Sequence, residues 1–263
     1  MNDPFPAVAE AAATGEVADL FADIRTTVGV RVVNLVWRHL ATLEGALPWA
    51  WGAVKPLYQQ GMADAAAIRF RESMILPRLE GVAGDQPASV DAVLASYDHS
   101  NTINLFSLGA LATWLRGEAA PAGEPAAGPR LSPPDVALPK LAAQEDVTPE
   151  TWQRVLRLNR FGDRPQPLIL ASMYRHLAHA PAFLEQLETA LAPVQADGSL
   201  DRAIAANRAA AGAGAAILAR AIAAPRPRLA VEIETGVQAF VDHAIGKMVT
   251  ICRAIRTARG SLQ

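Results

Sequence analysis

The sequence holds one cysteine, Cys252, among 263 residues. A single thiol excludes an intrachain disulfide framework and any C-x-x-C redox or zinc motif. Aromatic residues are scarce at 6% and charged residues low at 19%, against 51% hydrophobic. Material for a core is ample, and much of it is alanine, which suits helices with small contact residues. Neither charge is in excess: 24 Lys+Arg face 26 Asp+Glu, for a net charge of −2 and a pI near 6.2. That balance leaves no electrostatic footprint for nucleic acid or an anionic membrane. Long apolar runs are missing as well. The most apolar stretch, "AAAGAGAAILARAIAA" at 209–224, is weakly hydrophobic and interrupted by Arg220, so it does not span a bilayer. The opening "MNDPFPAVAEAAATGE" lacks the basic and apolar regions of a signal peptide. The expectation is a cytoplasmic protein with no membrane or nucleic-acid partner.

What is present is helical period. Alternation of period 2 bounded by turn signals is not evident, so the fold is expected to be all-α. Residues 117–140, "GEAAPAGEPAAGPRLSPPDVALPK", are too dense in Pro, Gly and Ala to hold a regular element. They predict a first helical repeat over 1–117, a linker over 118–140 and a second repeat over 141–263.

The two halves echo each other. Trp37-Arg38-His39-Leu40-Ala41 returns as Tyr174-Arg175-His176-Leu177-Ala178, and Asp98-His99 returns as Asp242-His243. Element order also repeats: an entry helix, an Arg-His-Leu-Ala helix, a helix begun near proline (Pro48, Pro181), a connecting helix and a long final helix. A unit present only twice predicts a fused pseudo-dimer rather than a solenoid, with its pocket along the pseudo-twofold axis.

Polar residues inside apolar stripes mark candidate sites. On the last helix of the first half, Asn101 stands in the middle of a stripe through Val90, Leu94, Tyr97, Leu105 and Leu108. The matching stripe in the second half, from Val241 to Ile255, is apolar. A buried amide without partners costs about 1–3 kcal/mol, so Asn101 either bonds a neighbouring helix or serves a ligand. Asn104 and Asp98 fall beside it near the stripe boundary, where they either line the same pocket or, as expected, form a solvated edge, and His99 is expected to be exposed. His39 and His176 read as structural hydrogen-bonding residues. Trp37, Trp49 and Trp51 form either a pocket wall or core, and Trp37 is counted with the pocket. The histidines show no convincing metal-ligand spacing, so no metal is expected.

The stretch "GEVADLFADIRTTVGVRVVNLVWRHLATLEGALPWAW" (15–51) resembles the opening of the group I 2-haloacid dehalogenases, the DehI family. Gly-Glu, Asp-Ile-Arg, Leu-Ala-Thr and Gly-x-Leu-Pro-x-Ala-Trp carry the likeness, and "ASMYRHLAHAPAFLEQL" (171–187) extends it to the second half. The resemblance implies an all-helical pseudo-dimer of two related repeats, distantly AhpD-like, with a cofactor-free site between them. It also implies hydrolysis of 2-haloalkanoic acids of either hand, by a water that an aspartate activates for direct attack on the halogen-bearing carbon.

Position by position, the family's active-site asparagine falls on Asn101, and the small residue before the catalytic aspartate falls on Ser172. The aspartate itself falls on Met173. Two pocket aromatics fall on Val32 and Leu35, and a late pocket tyrosine falls near Val237. A thioether cannot take a proton, and a positioned base is worth about 10²–10⁴ in rate. The sequence therefore predicts a small-molecule pocket, for a short carboxylic acid, without the family's hydrolysis. Alternatives are a dehalogenase with a relocated base such as Asp98, a non-hydrolytic enzyme of the same fold, or a non-catalytic helical interaction protein. A monomer or a homodimer is expected.

Overall fold

A computed structural model describes residues 5–82, 84, 86–162 and 169–261; the ends of the expected repeats, 1–4 and 262–263, lie outside the described residues. The described regular structure is entirely helical. The first half runs through α1 (Gly15–Val28), α2 (Leu35–Leu40), α3 (Ala46–Gln59), α4 (Met62–Ser73) and α5 (Ala88–Arg116). After an irregular stretch come α6 (Pro149–Leu158), α7 (Ser172–Leu177), α8 (Pro181–Ala196) and α9 (Ser199–Leu218). The chain closes with α10 (Ala230–Ala239), a π-helical segment (Phe240–Ile245) and α11 (Gly246–Ala258). The last three form one continuous helical run that matches α5 in length.

Local chemistry sets these boundaries. Gly29 and Gly117 end α1 and α5 in the left-handed conformation, which glycine adopts without strain. Thr148 caps α6 by accepting from the Thr151 amide at 3.2 Å, with Pro149 at the first helical position. Pro181 starts α8 in the same way.

The Ala/Gly-rich part of α9 is explained by contact with α5. A Cβ placed on Gly109 would stand 3.0 Å from the Ala215 Cβ, and one on Gly214 would stand 2.8 Å from the Phe106 ring. Glycine at both positions lets the two helices approach closely.

Hydrophobic burial divides into two cores that cross the two sequence halves. One gathers Phe21, Trp37, Trp51, Phe70, Phe106 and Leu111 with Ile233, Val237 and Phe240 from the end of the chain. The other gathers Leu158, Phe183, Leu187 and Ile255 with Val90, Val93 and Leu94 from the start of α5. Each long helix thus begins in one core and ends in the other, and the halves interlock.

This placement corrects the reading of α5 as a helix with one buried stripe. It packs against α3, α4, α9, α10 and α11, so its opposite face is covered too. His99, expected to be exposed, is buried, with Nε2 3.0 Å from the Val28 carbonyl. Asn104 and Asp98, expected at a solvated edge, are buried as well. The stretch 118–140 holds no helix but is not a free tether: the Gly128 amide donates to the Gln60 carbonyl at 3.3 Å and the Leu131 amide to Asp64 Oδ1 at 2.8 Å.

Candidate ligand-binding site

Four helix-bearing segments meet around a cavity with an empty volume of about 680 Å³ including its mouth. They are the approach to α2 and its first turns (Val32–Arg38), the middle of α5 (Ser96–Asn101), the approach to α7 and its start (Ile169–Met173), and the π segment with α11 (Phe240–Met248); Leu138 of the connecting stretch closes the ring. Both Arg-His-Leu-Ala helices, α2 and α7, contribute to the lining, as do α5 and the π segment, which carry the two Asp-His pairs. The π-helical segment lies in this wall, a deformation of the helical ladder often found at functional sites.

Val32, Leu35, Met173, Phe240, Ile245 and Met248 make the apolar part of the lining. Among the described lining residues Arg38 is the only charged one, and no acid is present. Its Nε donates to the Val8 carbonyl at 3.1 Å. Asn34, Ser96, Tyr97, Ser100, Asn101 and Ser172 supply the remaining polar groups.

Asn101 accepts from Asn34 Nδ2 at 3.4 Å, and Asn34 Oδ1 accepts from Asn104 Nδ2 at 3.1 Å. Tyr97 lies 2.9 Å through its hydroxyl from His176 Nδ1. Burial pushes the Tyr97 phenol well up, against a hydrogen bond to the Ser172 side chain. Burial, with smaller contributions from Arg175 and His179, pulls the His176 imidazole down to about 4, so it is neutral at neutral pH.

Five of the residues singled out in the sequence come together here: Asn101, Ser172, Met173, Val32 and Leu35. Two do not. Trp37, counted with the pocket, is fully buried behind the wall, where it stacks edge-on against Trp51 at 5.4 Å and donates from Nε1 to Asn104 Oδ1 at 3.3 Å. Asp98, offered as a relocated base, does not line the cavity. Its Oδ2 is held by Arg71 at 3.3 Å, Arg253 at 3.2 Å and Arg256 at 2.7 Å. Val237 is buried in the core, and Phe240, one turn on, lines the cavity instead.

Sequence reasoning missed Arg38, Asn34 and Tyr97. Arg38 was visible as part of the duplicated motif, and Tyr97 was read as one more member of an apolar stripe. No group of three His, Cys, Asp or Glu able to hold a metal stands among the described residues. No helix among them is long and apolar enough to cross a membrane.

Fold and cavity together define a class: an all-helical chain with an interior pocket walled by short helix starts and two long helices. No family model matches the chain. It is 34% identical over 93 residues to a configuration-inverting 2-haloacid dehalogenase of Pseudomonas sp. (strain 113), a match covering 35% of this chain and 28% of that protein. It is 29% identical over 119 residues to an (R)-2-haloacid dehalogenase of Pseudomonas putida, covering 43% and 38%. The matched stretches thus span well under half the length of those relatives.

Two solved structures share the fold at 18% identity. One is a D-2-haloacid dehalogenase mutant in complex with D-2-CPA, with a TM-score of 0.74 over 98% of this chain and 96% of that one. The other is D-2-haloacid dehalogenase with L-LA, with a TM-score of 0.72 over 98% and 97%. Over the matched stretches the sequence is similar to 2-haloacid dehalogenases, and over nearly its whole length the chain shares the fold of the D-2-haloacid dehalogenase structures.

Proposed function

We propose that this chain binds a short carboxylate in the cavity between two related repeats and does not hydrolyse 2-haloacids by the family's aspartate route. One observation carries the reading: the described lining contains a cation, Arg38, and no carboxylate, with Met173 at the position matched to the aspartate. An anion is favoured beside an unopposed guanidinium in a partly desolvated site. Displacement of halide by water needs a group to take the proton as oxygen attacks, and neither a thioether nor a guanidinium does so. The shared order of helices, and lining residues drawn from both halves of the chain, support a pseudo-dimer with its pocket at the junction. A lining that is mostly apolar with a few convergent polar groups favours a ligand-binding role over a purely structural one. Asp98 adds no base, because it is turned away and engaged by three arginines.

The test is halide release from both enantiomers of 2-chloropropionate and 2-bromopropionate, followed beside direct binding. The expected result is saturable binding with no release above that of an Asn101→Ala variant. Turnover clearly above that background defeats the reading.

A further inference from the structure

We infer that Trp37 and Asn104, neither of which lines the cavity, set which end of the Asn101 amide faces the ligand, so that Asn101 presents N–H donors. For its ligand, the inference rests on the carboxylate reading above.

The argument begins at a group with no choice. An indole Nε1–H only donates. The Trp37 Nε1 lies 3.3 Å from the Asn104 side chain, so the atom facing it must be Oδ1. The Tyr58 hydroxyl lies 2.7 Å from the same oxygen and donates to its second lone pair. Asn104 Nδ2 is thereby turned to Asn34 Oδ1 at 3.1 Å, and Asn34 Nδ2 to Asn101 Oδ1 at 3.4 Å. Asn101 Nδ2 is left without a partner among the described residues, on a side chain that lines the cavity.

Running the chain backwards would set the Asn104 amide nitrogen against the indole N–H. Trp37 and Asn104 are each 0% exposed, so both donors would be stranded away from water. Stranding buried donors is costly enough to fix the direction. The Asn101 amide is therefore not free to choose its partner.

Specificity follows. Arg38 and Asn101 both offer donors to the ligand, so the group between them must be an acceptor such as a carboxylate. An ammonium, or an amide turned through its nitrogen, would meet like ends. Asn101 so turned also cannot accept a proton from an attacking water. Trp37 and Asn104 are positioning residues, and their effect should appear at Asn101 rather than only in stability.

The test uses the ¹⁵N-labelled full chain. Without ligand, the side-chain amides of Asn34 and Asn104 should exchange with water slowly, and that of Asn101 at least about tenfold faster. Saturating 2-chloropropionate should shift the Asn101 NH₂ signals. An Asn101 amide as protected as that of Asn104 overturns the inference, whether or not anything binds. Failure of 2-chloropropionate to bind, with Asn101 exchange still fast, overturns the carboxylate reading and supports the register.

Asn104→Asp supplies acceptors only, so it should draw Asn34 Nδ2 inward, reverse the chain and turn Asn101 Oδ1 to the cavity. Expected are protection of the Asn101 amide and a loss of 2-chloropropionate affinity of about tenfold or more. Unchanged affinity and exchange in the folded variant overturn the inference. If that variant fails to fold, the exchange pattern of the unmodified chain decides alone.

Discussion

The Tyr97 hydroxyl stands 2.9 Å from His176 Nδ1, which joins the cavity wall to the second copy of the duplicated motif. The imidazole titrates at about 4 in the folded chain against an ordinary 6.5, chiefly because burial penalises its charged form. Between those values the unfolded chain binds more protons than the folded one. Stability therefore falls as pH drops from about 6.5 to about 4, by an amount on the order of 2–3 kcal/mol from this residue, and no further below. His99, pulled down mainly by burial, adds a slope of the same sign. His176→Asn keeps an acceptor near Tyr97 but cannot titrate, so its denaturant midpoint should change less with pH across that window. A slope equal to that of the unmodified chain would show that His176 does not set it.

Asp98 gives a prediction of the opposite kind. Its carboxylate is buried among the guanidinium groups of Arg71, Arg253 and Arg256, joining the middle of α5 to α4 and α11. Asp98→Asn leaves three cations without their anion and should cost about 3–5 kcal/mol, as breaking buried ion pairs does. Carboxylate affinity of the folded fraction should hold within about twofold, since Asp98 does not line the cavity. Chemical denaturation reads the first effect and calorimetric titration the second. A variant of normal stability with abolished binding would return Asp98 to the site.

Arg38 is expected to dominate ligand charge recognition. Arg38→Met keeps the apolar stem and removes the cation, so affinity for 2-chloropropionate should fall about tenfold or more. Its dependence on salt should flatten as well. Arg38→Lys should recover only part, because an ammonium cannot reproduce the planar fork of donors. Affinity unchanged in Arg38→Met would remove the basis for an anionic ligand.

Much of this was legible in the sequence. Helical period gave the fold class, and an amide set in an apolar stripe gave Asn101, because burial of such a group demands a partner. The duplicated motif lay close to the cavity in both copies, but only Arg38 of its residues reaches the lining, and nothing in the motif said so. Trp37 and Arg38 are neighbours about 100° apart on a short helix, so one enters the core and the other the cavity. Only the packing of α2 against α3 and α10 decides which. A single-stripe reading failed for α5 because helices surround it, so His99, Asn104 and Asp98 went inside with partners drawn from remote segments. The amide register from Trp37 to Asn101 was invisible for the same reason. It joins positions 34, 37, 101 and 104, whose proximity comes from tertiary packing.

The remaining prediction concerns Met173, which is 1% exposed and stands beside Ser172 in the wall that holds Asn101. Met173→Asp places an acid at the position that the family resemblance sets against the catalytic aspartate. Burial raises the pKa of the new carboxyl above its unfolded value. Stability is then lost progressively as pH rises above about 4, by about 2–3 kcal/mol at neutral pH. Donors from Asn101 and Ser172, and the charge of Arg38, limit that loss. Halide release from 2-chloropropionate should appear only above the raised pKa, as an ascending limb in the pH–rate profile. Its size should fall at the low end of the roughly 10²–10⁴ that a positioned base supplies. The family resemblance sets Val32 and Leu35 against aromatic pocket residues, and on that reading substrate packing should stay looser. A folded Met173→Asp chain that binds 2-chloropropionate, carries an ionised carboxylate by NMR titration and still releases no halide would show that more than the missing base separates this pocket from dehalogenation.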